Sequence, residues 1–206
     1  MLKQNKPLLS IQNSMGTLFS KLPLSPNAWT ILSLLVALVA GLVIAFQNNL
    51  VAGLALFALA GALDMVDGAV ARASGQVSNF GGFIDGITDR FVEAIFLFSF
   101  MFYQLPTIFI DSKIWLALVI FLGTSMPSFI RAYADHKGVL KREKALALGG
   151  ICERSERIVL LVIGLLAGIF YSMDIFIYTL ILIIFLSLLT IVQRMIQIKN
   201  NMQFEK

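Results

Sequence analysis

Long apolar runs separated by short polar segments are the feature that most limits what this chain can fold into. The sequence has 206 residues, of which 58% are hydrophobic and 14% charged, and its mean hydropathy is +0.86. A soluble domain carries about 25% charged residues. Crossing a bilayer takes about 20 apolar residues in a helix, and several runs approach that length. The pattern predicts an all-α, polytopic membrane protein.

The apolar runs predict six transmembrane helices in one domain that spans residues 1–206. Their expected positions are residues 28–46, 51–73, 82–103, 115–134, 158–171 and 175–196. Residues 1–25 combine three lysines with an imperfect apolar stripe. This juxtamembrane segment is expected to form a short amphipathic helix on the membrane surface, with a disordered tail as the alternative.

Basic residues are distributed unevenly between the two sides that six spans define. The N-terminal segment, the second and fourth connections and the C-terminal segment contain or adjoin every lysine and arginine except Lys113. The positive-inside rule therefore predicts that both termini face the cytoplasm. This asymmetry explains the net charge of +4, so we expect membrane lipids and no nucleic acid as partners. Cys152 is the only cysteine, which excludes an intrachain disulfide and a cysteine-rich metal site.

Four aspartates interrupt the apolar pattern around the second connection. Asp64 and Asp67 lie three residues apart near the end of the second span, and Asp85 and Asp89 lie four apart near the start of the third. Each spacing puts both side chains on one helical face. Because a short connection makes the two helices antiparallel neighbours, the pairs are expected to converge on one pocket open to the cytoplasm. A carboxylate within a bilayer costs roughly 2.5–3.5 kcal/mol, so such a cluster needs cations.

Divalent ions are the natural partners of this cluster. Mg²⁺ and Mn²⁺ prefer oxygen ligands and are often held by carboxylates together with substrate phosphates. Two such ions about 3.5–4 Å apart clamp a phosphoryl group during transfer. The cluster therefore indicates a two-metal phosphotransferase. A cation-coupled carrier is the alternative from another class, disfavoured because the sequence has no internal repeat and no broken-helix signal. A structural scaffold would leave the four carboxylates without cations.

The residues around the acids resemble the signature of a known family. Eight residue types at fixed separations are similar to the signature of the CDP-alcohol phosphotransferases: Asp64-x-x-Asp67-Gly68-x-x-Ala71-Arg72, then eight residues, then Gly81-x-x-x-Asp85-x-x-x-Asp89. The six-span layout resembles the family over nearly the whole chain. The resemblance implies a transferase of phospholipid biosynthesis, in which an alcohol attacks the β-phosphate of a CDP-linked lipid and releases CMP. It also implies CDP-diacylglycerol or CDP-archaeol as the lipid and a homodimer.

The same resemblance implies roles for individual residues. Metal ligation by Asp64, Asp67, Asp85 and Asp89 would hold two Mg²⁺ or Mn²⁺ ions, and Asp89 would act as the base for the acceptor hydroxyl. Contacts to CDP would come from residues around the start of the first span and near the end of the second: Pro26, Asn27, Thr30, Asp67, Gly68, Ala71 and Arg72, with Arg72 at the diphosphate. Local structure offers another explanation for some of them, because Pro26 and Asn27 suit a helix start and Gly68 and Ala71 suit close helix packing.

A basic segment between the fourth and fifth spans is a candidate acceptor site. Attraction to anionic lipid, about 1 kcal/mol per residue, accounts for most of its lysines. Arg131, Arg154 and Arg157 differ because they adjoin apolar spans, so we expect them to bind an anionic acceptor. Residues 153–157, ERSER, are similar to a segment of inositol-phosphate-using members of the family, whereas Tyr133 stands where those members have a basic residue. We therefore expect an inositol phosphate or another phosphorylated polyol, with glycerol 3-phosphate or serine as alternatives.

Overall fold

A computed structural model describes residues 16–203 and is almost entirely helical over that range. An isolated bridge between Ile108 and Ile110 is the sole β-type pairing in the described part of the chain. The all-α prediction is therefore confirmed. Most of the segment expected to form an amphipathic helix, residues 1–25, lies outside the described residues, and only residues 16–19 of it are described as helical. The chain divides into two compact units, Met1–Tyr103 and Gln104–Lys206.

The first unit contains three long helices, which are α1 (Pro26–Gln47), α2 (Leu50–Ala73) and α3 (Asn79–Ser99), followed by a short 3₁₀ turn. Helix α1 packs along both α2 and α3, whereas α2 and α3 contact each other at few points. Helix α1 is therefore the common support for the two helices that carry the aspartates.

Polar side chains set where each of these helices begins. The Ser25 hydroxyl accepts a hydrogen bond from the Ala28 amide at 3.3 Å, and Pro26 takes the first helical position. Asn49 and Ser78 cap α2 and α3 in the same way. Such a cap contributes about 1 kcal/mol to helix stability. The registers of α1, α2 and α3 are thereby fixed at the ends where the chain turns.

The core of the first unit combines aromatic rings with small residues. Phe57 of α2 stacks on Phe96 of α3, with 3.8 Å between the ring centroids. Gly41 of α1 lies so close to Ile95 that a Cβ at residue 41 would be 3.0 Å from its side chain. Small residues let helix backbones approach closely in a membrane. This close packing makes the first unit a firm platform for the polar ends of α2 and α3.

The second unit is built around a long interrupted helix and a helical pair. Its elements are α4 (Ser112–Leu118), a π-helical segment (Val119–Ser125), α5 (Met126–His136), α6 (Arg142–Leu146), α7 (Arg154–Phe170) and α8 (Met173–Gln203). Helix α8 packs against α7 and against the interrupted helix. The π-helical segment ends two residues before Pro127, and proline within a helix is a common cause of a kink.

Four of the described helical stretches are long and apolar enough to cross a membrane. They are Pro26–Gln47, Leu50–Ala73, Ser112–His136 and Met173–Met202. The predicted third and fifth spans also form helices, α3 and α7, but α3 carries four charged residues and α7 is only 17 residues long. The structure thus has a helix at each of the six predicted positions, and four of them meet the requirements of a span by length and composition.

Candidate active site

Three of the four predicted metal ligands come together in the first unit. Asp64 and Asp67 project from α2 and Asp85 from α3, and one carboxylate oxygen of each lies within 4.8 Å of the other two. Asp67 is buried, whereas Asp64 and Asp85 are half-buried. Three negative charges at such distances repel one another unless a cation lies between them. The donor set consists of hard oxygen ligands, which fits Mg²⁺ or Mn²⁺.

Asp89 lies one helical turn beyond Asp85 and has a different environment. One of its carboxylate oxygens, Oδ2, is 3.3 Å from the Arg90 guanidinium. The same Arg90 nitrogen also donates to the Gly86 carbonyl at 2.8 Å, which anchors Arg90 on its own helix. The structure therefore places Asp89 close to the group of three along α3 but not within it. Its roles as fourth ligand and as base stay predictions.

A cavity of about 270 Å³ adjoins the carboxylates, and two of them, Asp67 and Asp85, form part of its wall. The residues for which the resemblance implies CDP contacts all line it: Pro26, Asn27, Thr30, Asp67, Gly68, Ala71 and Arg72. Helix α1 thus supplies one wall and the C-terminal turns of α2 supply another.

The connection between α2 and α3 forms a further wall that sequence reasoning missed. Gln76, Val77 and Ser78 line the cavity, together with Gly81 and Gly82 at the start of α3. The chain reverses direction at Gly75, whose φ of +68° lies in the left-handed region that favours glycine. In the sequence this segment looks like an ordinary polar connector, and only its position beside the acids signals a role.

The absence of a side chain at Gly68 keeps space open in the cavity and is not required for packing against a second helix. A Cβ added there would meet a single neighbour within 4 Å, the Arg72 guanidinium at 3.3 Å, and that neighbour belongs to the same helix. Close approach of a second helix therefore does not require glycine at this position. A side chain at residue 68 would instead occupy space in the cavity and press on Arg72.

A buried hydrogen bond connects α1 to the carboxylate cluster. The Thr30 hydroxyl donates to Oδ2 of Asp67 at 2.6 Å. Thr30 and Asp67 are 3% and 5% exposed. This contact connects one residue predicted to touch CDP with one predicted to bind metal.

The second unit contains the arginines predicted to bind the acceptor. Arg131 donates to the Leu148 carbonyl at 2.7 Å and lies 3.7 Å from a Glu153 carboxylate oxygen. Arg154 is half-buried as the first residue of α7, and Arg157 is 3% exposed. Arg157 packs against the π-helical segment, because a Cβ at Gly123 would lie 3.0 Å from its side chain.

Sequence reasoning did not include Arg194 in this group. Its guanidinium donates to the Pro127 carbonyl and lies 3.2 Å from the Glu153 carboxylate oxygen that also faces Arg131. The signal was present in the sequence, since Ser187, Thr190 and Arg194 repeat on one face of an otherwise apolar helix, and all three are buried. The positive-inside rule also predicts a basic residue near the end of a span, so the sequence alone does not assign Arg194 to this cluster.

Fold and site together define a helical membrane protein with a carboxylate cluster suited to divalent ions beside a cavity of about 270 Å³. Comparison with known proteins then names the family. Residues 23–196 match the CDP-alcohol phosphatidyltransferase family, and the chain belongs to it. The resemblance drawn from the motif is confirmed. The protein is a transferase of phospholipid synthesis and an integral membrane protein.

Similar proteins are known from archaea and bacteria. The archaetidylinositol phosphate synthase of Pyrococcus horikoshii is 34% identical over 91% of this chain and 90% of its own length. Two structures of the phosphatidylinositol phosphate synthase of Mycobacterium tuberculosis are similar in fold at 22% identity. One contains manganese and citrate, with a TM-score of 0.75 and coverage of 91% of this chain and 88% of that one. The other has CDP-DAG bound, with a TM-score of 0.74 and coverage of 92% and 94%.

Proposed function

We propose that this protein transfers the lipid phosphate group of a CDP-linked lipid to an inositol phosphate and releases CMP. The observation that carries the proposal is the group of three carboxylates within 4.8 Å, two of which line a cavity bounded by every residue that the motif assigns to CDP. The names of the relatives support the choice of acceptor, since the relative from P. horikoshii is an archaetidylinositol phosphate synthase. The lipid is CDP-archaeol or CDP-diacylglycerol.

In the proposed reaction, the acceptor hydroxyl oxygen forms a bond to the β-phosphorus of the CDP-lipid. The bond between that phosphorus and the oxygen bridging to CMP breaks, and CMP leaves with the bridging oxygen and its electron pair. Asp89 takes the hydroxyl proton on its carboxylate. Arg72 faces the diphosphate and neutralises charge on the leaving CMP, while Pro26, Asn27, Gly68 and Ala71 hold the nucleotide in the cavity.

Asp64, Asp67 and Asp85, with Asp89 as the fourth ligand, would hold two Mg²⁺ or Mn²⁺ ions. Such ions stabilise the charge that develops on the attacking and leaving oxygens. The fit rests on the chemistry of the donor set, which is entirely carboxylate oxygen. The manganese in the related mycobacterial structure supports the same kind of ion.

We further propose that Arg131, Arg154 and Arg157 bind the phosphate of the acceptor. Guanidinium groups suit phosphate because they offer paired donors in a planar fork. In the second unit, Arg131 and Arg194 both face the carboxylate of Glu153, so several guanidinium groups lie in this part of the protein.

We also propose that the chain is a single domain that crosses the membrane six times, with both termini and the site facing the cytoplasm. The charged residues of α3 include two of the predicted metal ligands, so bound cations would offset the cost of placing them in a helix that crosses the bilayer. An amphipathic helix within residues 1–25 and a homodimeric assembly complete the proposal. The one-sided distribution of lysine and arginine supports the orientation.

One assay tests the reaction and the acceptor together. Purified protein in detergent is mixed with CDP-archaeol or CDP-diacylglycerol, Mg²⁺ and one of inositol phosphate, inositol, glycerol 3-phosphate or serine, and CMP is measured. We expect CMP with inositol phosphate and none after a chelator is added. If CMP forms only with glycerol 3-phosphate or only with serine, that compound is the acceptor and the proposal of an inositol phosphate is wrong. Cation flux in vesicles without CMP from any acceptor would favour the carrier.

A further inference from the structure

The hydrogen bond between Thr30 and Asp67 is the strongest described link between α1 and the carboxylate cluster. Its 2.6 Å falls in the range of about 2.5–2.7 Å that is typical of a hydroxyl donating to an ionised oxygen. Thr30 also lies 3.3 Å from the Pro26 carbonyl, but a hydroxyl has one proton to donate. The shorter contact to the charged acceptor is the one that takes it.

The position of Thr30 is fixed by its neighbours on the same helix. Trp29 packs against Val66 and Val70 of α2, and the Ser33 hydroxyl donates to the Ala60 carbonyl of α2 at 2.9 Å. Thr30 lies between these two contacts and faces the same helix. Its hydroxyl therefore has little freedom to move away from Asp67.

Asp67 is the member of the cluster for which orientation matters most. It is buried, and the two other carboxylates of the group are half-buried. Its Oδ2 is occupied by the Thr30 hydroxyl, which restricts rotation of the carboxylate and leaves Oδ1 unconstrained by that bond. Removing a side chain that hydrogen-bonds to a metal-ligating carboxylate typically lowers the metal affinity by about 10–100-fold.

We propose that Thr30 is a positioning residue of the metal site, whose hydroxyl holds the Asp67 carboxylate in the orientation that binds a divalent ion. This rests on the proposed function for the identity of the ion. It changes the role that the motif implied for Thr30, which was contact with CDP. Thr30 still lines the cavity, but its single donated proton goes to Asp67 and not to the nucleotide.

The test measures Mn²⁺ binding by electron paramagnetic resonance to purified full-length protein in detergent, without CDP-lipid. Thr30→Val keeps the shape of the side chain and removes the hydroxyl, and we expect its Kd for Mn²⁺ to rise about 10–100-fold. Thr30→Ser keeps a hydroxyl donor, and its Kd for Mn²⁺ should stay within about threefold of the wild-type value. The matched control is Ser33→Ala, which removes an equally buried bond between the same two helices and should leave the Kd unchanged.

The outcomes separate the possible roles of Thr30. Wild-type Mn²⁺ affinity in Thr30→Val with a raised KM for CDP-lipid would overturn the proposal in favour of a CDP contact. Equal losses in Thr30→Val and Ser33→Ala would also overturn it, because they indicate general loosening of α1 against α2. In an Asp67→Asn background, Thr30→Val should have no further effect on Mn²⁺ affinity. If Thr30→Val is not recovered as a monodisperse protein, Thr30→Ala is measured in its place with the same expectation.

Failure of the proposed function gives a different result. If the wild type binds no Mn²⁺ at all, the metal role of the cluster is wrong, and the proposal for Thr30 is wrong with it. If the wild type binds Mn²⁺ and Thr30→Val weakens that binding, while no acceptor yields CMP, the reaction is wrong and the role of Thr30 stands.

Discussion

Asp89 differs from the other three aspartates in what holds it. Its Oδ2 faces Arg90, which is itself anchored to the Gly86 carbonyl. Asp64, Asp67 and Asp85 instead face one another. Arg90 restricts the orientation of the Asp89 carboxylate, which in the proposed reaction takes the proton of the incoming hydroxyl.

Asp89→Asn should therefore abolish CMP release while CDP-lipid binding is largely retained. An amide cannot accept the proton, and a general base contributes about 10²–10⁴-fold to the rate. Turnover and CDP-lipid binding are measured on the same sample, and Mn²⁺ affinity shows whether ligation is lost as well. Asp174→Asn, at an exposed aspartate near the start of α8, is the matched control. Normal turnover in Asp89→Asn would refute the base assignment.

Arg154→Ala should raise the KM for the acceptor much more than the KM for CDP-lipid. Arg154 is half-buried at the start of α7, where a guanidinium can meet an anionic group. Hydrogen bonds to charged groups contribute about 1.5–3 kcal/mol, which corresponds to roughly 10–100-fold in KM. Arg142→Ala removes an exposed arginine of α6 and should change neither constant. If the KM for the acceptor is unchanged in Arg154→Ala, Arg154 does not bind the acceptor.

At the scale of elements, hydropathy and capping residues predicted much of what the structure contains. Each apolar run became a helix, and α1 begins at Pro26 behind its Ser25 cap as local rules require. The π-helical segment was not predictable in the same way. Pro127 predicts a kink, but the form of the kink depends on tertiary packing, here of Arg157 against Gly123.

The candidate site shows the same limit. Motif spacing predicted that residues of α2 and α3 converge, because helical periodicity is a local property. The contribution of residues 76–78 to the cavity and of Arg194 to the basic cluster depends on contacts between distant segments. In the sequence, Glu153 is recognisable only as part of the ERSER segment. In the structure, its carboxylate links Arg131 in the middle of α5 to Arg194 of α8.

Glu153→Gln should destabilise the second unit by removing the charge between these two arginines. The glutamate is partly exposed, so a loss on the order of 1 kcal/mol is expected, or about 2–4 °C in the midpoint of thermal unfolding for a chain of this size. The midpoint is measured in detergent at low and high salt, and the loss should shrink at high salt. Glu143→Gln, at an exposed glutamate of α6, should have no effect. An unaltered midpoint in Glu153→Gln would mean that the link contributes nothing to stability.

At the scale of the whole molecule, the number of spans decides which connections face which side of the membrane. Four of the described helical stretches are long and apolar enough to cross, and the proposed number becomes six when α3 and α7 are included. With six spans, the basic connection that contains Lys141 is cytoplasmic and Lys113 faces outward. With four spans, these two residues exchange sides. The four-span arrangement would put a strongly basic connection outside, against the positive-inside rule.

Accessibility of single cysteines separates the two arrangements. In a Cys152→Ser background, Lys113→Cys and Lys141→Cys introduce thiols at exposed positions, and intact cells are treated with a membrane-impermeant maleimide. Six spans require labelling at position 113 in intact cells and labelling at position 141 only after the membrane is opened. Four spans require the reverse pattern. Lys21→Cys is the control for the cytoplasmic side, because both arrangements place it before the first span. Labelling at position 113 from outside would also show that α3 crosses the bilayer. Asp85 and Asp89 would then belong to a membrane-spanning helix. Their charge in that position needs the cations that the proposed reaction uses.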